Sequence, residues 1–404
     1  MSRSVVVVSL RAGDWLAPCL ASVRDQADQL VVVDNGSAGA EVSDVGRRFG
    51  ATVLRNRDNR GFAGGANQGI RVATGEVVAM FNDDAVADPN WLDTSEDALS
   101  DPSVAAVTPK VLLAGWYGQL LPTGDPWYAP SDPRPLGRQL FSVAHDGDEL
   151  LDRLVGPGIH RLESGVVDGA RTRWRWTRPG KPYFVPLPGT EAVATVTVNG
   201  TEEVPVTAVC RLINNAGLFL RSDGYSGDHG LECPDDGRWD RPRETFGASG
   251  TAMVVRADVL RRVGLFAEPF FAYYEDADWS WRARRHGLTV AYRPDTSVSH
   301  RRSVTSVETL GARVRILGER NRLLCLVRNA PLPVASGQVW RRLVDGPDHG
   351  IRRGMVSHLP WALATRTRLA RHSTVDPTEL WKRWAGVDTT WDDRPLGTAG
   401  TGLG

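Results

Sequence analysis

No apolar run in the 404 residues reaches the length needed to cross a bilayer. The N-terminal MSRSVVVVSL is too short an apolar stretch for a secretory leader, so the expectation is a cytoplasmic protein. Cysteine is scarce and scattered: Cys19, Cys210, Cys233 and Cys325 form no C-x-x-C pair, which speaks against a zinc or dithiol motif and fits a reducing compartment. Net charge is absent too. Forty-eight basic residues balance forty-eight acidic ones, so no global field draws the chain to nucleic acid. No internal repeat is visible.

What remains is an ordinary soluble composition, 41% apolar and 24% charged, with enough chain for two or three cores. Fourteen tryptophans suit a sugar-handling protein but are equally good core material. The charge is unevenly spread: Gly311–His372 holds twelve arginines against Glu319, Asp345 and Asp348.

Val5–Leu10 is a continuous β-branched apolar run, the pattern of a buried parallel strand. Asp14 is placed to cap the next helix, in which Trp15, Leu16, Leu20 and Val23 share a face. A second run, LVVVDNGS, a helix marked by Val42, Val45 and Phe49, and a short strand Ala51–Leu54 complete a β-α-β-α-β alternation. That predicts an α/β doubly wound, mostly parallel sheet, whose ligands sit beyond the carboxyl ends of the strands. Asp34, and Asn82, Asp83 and Asp84 after Val77–Phe81, stand at such ends.

Between them NRDNRGFAGGANQGI carries Gly61, Gly64, Gly65 and Gly69 into a predicted helix N-terminus, a place where backbone can approach an anion. A dinucleotide fingerprint would follow the first strand, where the chain has only RAGDW, so a nicotinamide enzyme is excluded. A glycine turn without ligand is the competing reading. Asp88-Pro89 predicts a cap and N1 proline for the helix with Trp91, Leu92 and Leu99; Val104–Val107 predicts a strand. From about Gly115 to Val209 the chain turns rich in proline and glycine with alternating stretches, a β-rich insertion.

The α/β pattern resumes with a strand Ala252–Val255 and a helix ending at Gly264. Phe270–Gly287 follows, FFAYYEDADWSWRARRHG, with Glu275, Asp276 and Asp278 opening a helix behind four aromatics. Acidic residues belong in a first helical turn on dipole grounds alone. The aromatics Phe270, Phe271, Tyr273 and Tyr274 would also desolvate a carboxylate and raise its pKa toward general-base duty, with Asp276 the first candidate and Glu275 the second. LTVAY and TSVSH then read as strand pieces around Pro294, the second ending at His300. Val307, Leu310, Val314, Leu317, Asn321, Leu324 and Arg328 mark a long amphipathic helix, with further helical pieces to Trp384 and a disordered Gly397–Gly404.

In order, VVVDNGS, NRGFAGGANQGI, FNDDA, GASGTAMVVRADVLRRVGLF, FFAYYEDADWSWRARRHG and the H of TSVSH resemble the inverting GT-A glycosyltransferases of family 2, in particular their rhamnosyltransferase-like branch. The resemblance spans most of 5–115 and 210–329. It implies a GT-A fold divided into a nucleotide-sugar half (1–114), the insertion (115–210), an acceptor and catalytic half (211–305) and a C-terminal helical extension (306–404). It implies that Asp34 meets the nucleotide base and that Asn35, Asn59, Arg60, Gly61, Phe62, Gly64, Asn67, Asn82 and Asp83 line the donor pocket. Asp84 and His300 would hold a divalent metal, Mg²⁺ or Mn²⁺. Asp276 would be the base. The first position of the family's D-x-D motif is here Asn82.

The expected activity is transfer of a sugar, rhamnosyl first, from a dTDP- or UDP-sugar to a glycan or lipid-linked acceptor in cell-envelope polysaccharide or glycoconjugate synthesis. Galactofuranosyl or mannosyl transfer and a soluble small-molecule acceptor are the alternatives; a catalytically silent carbohydrate-binding protein is the alternative of another class. The basic helical region, with Trp340, Pro360 and Trp361, reads either as a tail packed on the catalytic domain with its arginines solvated or as a surface for peripheral contact with the inner face of the plasma membrane.

Overall fold

The computed structural model describes residues 1–122, 128, 134–167, 170–187, 195–302, 313–345 and 349–386. They form two compact units. The first comprises Met1–Val111, Asn215–His229 and the chain from Trp239 onward; the second comprises Leu112–Asn214 with Gly230–Arg238.

The first unit is built on β1 (Arg3–Ser9), which pairs in parallel with β2 (Gln29–Asp34) on one side and β4 (Val77–Asn82) on the other. β3 (Thr52–Arg55) extends the parallel half beyond β2. Both faces of β1 are covered, which is why its sequence does not alternate with polar residues. Val5 and Val7 pack among α1 (Leu16–Arg24), α2 (Glu41–Arg48) and α4 (Trp91–Leu99). Val6 faces α3 (Gly61–Val72), α5 (Ala257–Val263) and α6 (Glu275–Arg285). Each such buried valine contributes about 1.5–3 kcal/mol over leaving it in water.

The other half of the sheet is antiparallel. Strand Ala252–Arg256 lies between β4 and β6 (Val104–Leu113) and runs against both. Beyond β6 comes Thr289–His300, one 12-residue strand rather than the two pieces expected around Pro294. Pro294 falls between the ladder with Arg243–Glu244, at Ala291 and Tyr292, and the ladder with β5 (Ala85–Ala87), at Val298–His300, so neither of these asks it for an N–H.

Two expected caps have other partners. Asp14 ion-pairs with Arg301 at 3.0 Å, and Trp15 caps α1 without a side-chain bond. Asp88 accepts from Ser297 N and Oγ, both at 2.8 Å, while Asn90 precedes α4. In both cases a tertiary donor is the stronger claim on the carboxylate.

The C-terminal helices Arg313–Asn329, Leu332–Asp345, His349–His372 and Pro377–Trp384 belong to the same unit. Leu323, Leu324, Met355, Leu380 and Trp384 bury against Phe270 and Trp281 in a third core. Val307, Leu310 and Gly397–Gly404 lie outside the described residues. The second unit contains short antiparallel strands around Leu120, Leu140, Val143, Tyr183, Val185 and Val196, and the segment read as an insertion falls within it. Its tryptophan strand Ala170–Trp176 pairs with Glu163–Val167.

Candidate functional site

The carboxyl end of β4 delivers Asn82, Asp83 and Asp84 to one edge of the sheet, and the register of Thr289–His300 on β5 sets His300 opposite Ala85. His300 Nε2 therefore lies 3.0 Å from Asp84 Oδ1 and 3.2 Å from Asn82 Nδ2. Asp84 and His300 are both buried. Asp83 turns elsewhere: its Oδ2 accepts from Ser9 Oγ at 2.6 Å. Burial, with the neighbouring charge of Asp84 second, raises its pKa to about 7.

Among the described residues no group of three or more His, Cys, Asp or Glu gathers as a cation cage. Asp84 and His300 do present one hard oxygen and one imidazole nitrogen side by side. Mg²⁺ sites commonly use one or two carboxylates, with substrate phosphates and waters completing the shell, so this donor pair fits such an ion.

Of the three clustered acids, the structure assigns each a separate environment. Asp278 has no exposed surface; it pairs with Arg282 at 2.9 Å and Arg328 at 3.1 Å and accepts from Asn329 at 2.9 Å, which makes it an internal anchor. Glu275 is buried, and its Oε2 has no hydrogen-bond partner among the described residues. Burial, then the charge of Asp276, pushes its pKa well above the usual range. Asp276 is partly exposed. Its Oδ2 accepts from Gly250 N at 2.9 Å and its Oδ1 from Ala277 N at 2.7 Å. Desolvation raises its pKa against the lowering pull of those two amides.

The turn before strand Ala252–Arg256 joins the two groups. Asp276 is bonded to Gly250 N, and the next residue, Thr251, accepts from Asn82 N at 2.9 Å. The base candidate and the end of β4 are thus held by two adjacent residues, Gly250 and Thr251. Phe62 borders the same spot: a Cβ added to Gly250 would lie 3.3 Å from its ring and 3.6 Å from Asp276 Oδ2. Phe270, by contrast, faces Trp361 in an edge contact at 5.9 Å, so it is not part of an aromatic wall around Asp276.

The glycine-rich segment divides. Asn35 is its hub, donating to Asn59 Oδ1 at 3.1 Å and to Gly61 O at 3.0 Å, and accepting from Arg60 N at 3.1 Å. Gly65 and Gly69 serve packing: a Cβ on either would come within 2.7 Å of Val8 or 2.2 Å of Val6, so they let α3 sit on β1. Gly64 is buried within α3, and an added Cβ would meet Arg60 Cβ at 3.0 Å. Asn67, expected in the pocket lining, spends its side-chain amide on internal partners. It is buried and turned to the Phe266–Glu268 segment, donating to Phe266 O and Glu268 Oε1 and accepting from Phe266 N, each at 3.0 Å. Nor is the start of α3 open as expected, since Ala63 N donates to Phe271 O at 3.1 Å.

Asp34 is fully buried: its Oδ2 accepts from Ser43 Oγ at 2.6 Å and its Oδ1 from Ser37 N at 3.0 Å, which leaves each oxygen a further lone pair.

Sequence reasoning missed Asp228. It ends strand Ser226–Asp228 and accepts from the Asn215 amide. Burial raises its pKa to about 6; the charge of Asp276 adds to this, while Arg302 and His300 oppose it. The acid thus feels both Asp276 and His300. Nothing in its local sequence, SGDHG, signals that position.

Residues 4–140 match the family Glycosyl transferase family 2. The chain is 29% identical over 129 residues to a Glucosyl-dolichyl phosphate glucuronosyltransferase of Haloferax volcanii, a match covering 31% of this chain and 41% of that protein. It is 33% identical over 86 residues to a Pre-mycofactocin glycosyltransferase of Mycobacterium tuberculosis, covering 21% of this chain and 18% of that one. The matches thus span less than half the length of these curated relatives. A solved structure of GalNAc-T7 with UDP, GalNAc and Mn²⁺ superposes with a TM-score of 0.50 at 12% identity, covering 93% of this chain and 58% of that one; the likeness is one of fold. Residues 4–140 are thus similar to family 2 glycosyltransferases, and the fold is of the GT-A type.

Proposed function

We propose that the protein transfers a sugar from a nucleotide-diphosphate donor to an acceptor hydroxyl in a single inverting displacement. One observation carries the reading: Asp276 and the Asn82–Asp84–His300 cluster are fastened to the adjacent residues Gly250 and Thr251. A general base and a diphosphate-binding edge must flank one anomeric carbon, and this arrangement supports such a pairing.

Asp276, its pKa raised by burial, takes the proton from the acceptor hydroxyl as that oxygen attacks. The nucleoside diphosphate leaves from the opposite face, and the anomeric centre inverts. A divalent ion, Mg²⁺ or Mn²⁺, held by Asp84 and His300 would neutralise the charge developing on the departing diphosphate. The Mn²⁺ in the GalNAc-T7 structure supports this choice of ion. Asn35, Asn59, Arg60, Gly61 and Phe62 form the donor side, with Asp34 behind them. In this reading 1–114 is the donor half and 211–305 the acceptor half.

For the donor we favour a dTDP- or UDP-linked rhamnosyl group, with galactofuranosyl and mannosyl donors as alternatives. For the acceptor we favour a lipid-linked glycan of envelope synthesis, reached from the cytoplasmic side of the membrane. Exposed Trp340 and Val344 lie one turn apart on helix Leu332–Asp345 beside exposed Arg341, a composition suited to an anionic surface. No helix among the described residues is long and apolar enough to cross a membrane.

The test is a panel of UDP-, dTDP- and GDP-sugars with Mg²⁺ or Mn²⁺, read by thermal shift and by release of nucleoside diphosphate. At least one donor should stabilise the protein and release its nucleotide, and Asp276→Asn should abolish the release but keep the shift. Stabilisation by sugars with no nucleotide release from any donor would make the protein a carbohydrate binder.

A further inference from the structure

Asp276 stands at the end of a backbone run that does not hold its shape unaided. Phe271, Tyr273 and Tyr274 have φ of 67°, 72° and 70°, the left-handed region that residues with a Cβ avoid. Tyr274 is the N-cap of α6, so this run sets the direction in which Glu275 and Asp276 leave the loop.

The groups that hold it come from three other places. Ala63 N takes the carbonyl of Phe271 at 3.1 Å, and Ser226 N donates to Tyr274 Oη at 3.2 Å. The densest contact comes from helix Arg313–Asn329. Asn321 Nδ2 lies 2.9 Å from the carbonyls of Phe270 and Ala272 and 2.8 Å from that of Tyr273. Arg320 reaches the carbonyls of Pro269 and Phe270 at 2.9 and 3.0 Å. Asn321 has no exposed surface, and the residues that follow it, Leu323 and Leu324, are core. A buried amide beside apolar residues is costly unless its hydrogens are used, and here they are used entirely on this loop.

We propose that Asn321 is a positioning residue for Asp276: it clamps the left-handed run from Phe271 to Tyr274 and so keeps the carboxylate on Gly250 N. The proposal deepens the transferase reading and rests on it for its kinetic arm. Without the amide, the carbonyls of Phe270, Ala272 and Tyr273 lose a shared donor and the run relaxes toward negative φ. The first turn of α6 then swings, and Asp276 leaves its place beside the end of β4. Misplacement of a reacting group by about 1 Å costs on the order of a hundredfold in rate.

The test compares the full-length wild type, Asn321→Leu and the double variant Asn321→Leu/Tyr273→Gly. Glycine adopts positive φ without being held, so it should replace the clamp at that residue. Turnover is measured with the donor that the wild type uses, UDP affinity by calorimetry, and amide exchange over 270–277 by mass spectrometry. N321L should lower kcat by about a hundredfold with KM and UDP affinity nearly unchanged. The double variant should regain about tenfold. Exchange over 270–277 should accelerate in N321L while that of β1 and β4 stays as in the wild type. Unchanged kcat, a loss shared equally by KM, no recovery with glycine, or unchanged exchange would each overturn the proposal. Should N321L fail to fold, Asn321→Ser, which keeps one donor, takes its place with the same expectations at smaller amplitude. If the wild type uses no donor, the transferase reading falls, and the exchange measurement alone decides the clamp.

Discussion

The carboxylate of Asp276 accepts the Gly250 N–H at 2.9 Å across two segments that do not touch in sequence. Gly250 belongs to the turn entering strand Ala252–Arg256, which is wedged antiparallel between β4 and β6. That wedge brings an acid from the start of α6 to the end of a parallel strand, and the predictions below depend on it.

Asp276→Asn should lower turnover by roughly two to four orders of magnitude, the usual worth of a general base. Asn keeps one acceptor, enough for Gly250 N but not for Ala277 N as well, so donor affinity should stay near wild type and stability should fall by only about 1 kcal/mol. Because desolvation raises the Asp276 pKa, the active, ionised form is lost as pH falls through a value above the ordinary carboxylate range near 4. A pH profile of kcat/KM should show its acid limb displaced upward accordingly. Near-wild-type turnover by the mutant would move the role to Glu275.

Asp84→Ala and Asp34→Ala should fail differently. Asp84 offers the oxygen beside His300, so its loss should weaken UDP binding in Mg²⁺ or Mn²⁺ and leave binding in chelator unchanged. Asp34 satisfies Ser43 and Ser37, so its removal should cost about 1–3 kcal/mol of stability and weaken UDP with or without metal. Calorimetric titrations and urea melts on both variants separate the two.

Glu275→Gln tests the buried acid. The folded pKa of Glu275 is raised, so the native state prefers the protonated form. Its contribution is full below the ordinary carboxylate range and is lost as pH rises toward the raised value. The Gln variant should therefore melt higher than wild type at pH 8, by roughly 2–4 °C for each 1 kcal/mol, and match it near pH 4. Equal melting at both pH values would show Glu275 to be solvated.

Gly61→Ala should be harmful although alanine is the better helix former. Gly61 has φ of +72°, and a Cβ there would stand 2.2 Å from Phe271 O. The substitution either strains the backbone or pushes the Phe271–Tyr274 loop away, at about 1–3 kcal/mol. Turnover should fall more than stability, which parallel melts and rates would show.

Liposome co-sedimentation tests the surface of the C-terminal helices, where Trp340, Val344 and Val356 are 71%, 61% and 68% exposed. Binding should appear with anionic lipid, fade as salt rises, and drop on Trp340→Ala. No binding at low salt would favour a soluble acceptor.

The sequence by itself determined the parallel half of the sheet, because a strand covered on both faces must be apolar at every position, as Val5 to Val8 are. It also marked strand ends and an acidic helix start as candidate places for chemistry, although an acidic first turn suits the helix dipole as well. The sequence ranked Asp276 before Glu275, but only tertiary partners gave the three clustered acids separate environments: two arginines around Asp278, no partner among the described residues for Glu275 Oε2, a backbone amide for Asp276. The glycines of α3 likewise carried no label saying which would face β1 and which Phe271. Asn321 was legible only as a member of a helical periodicity; that its amide faces three carbonyls depends on how helix Arg313–Asn329 docks. Periodicity is a property of the chain and is written locally. The partner of a buried polar group is fixed by packing between segments far apart in the sequence, and so it is decided only when the chain folds.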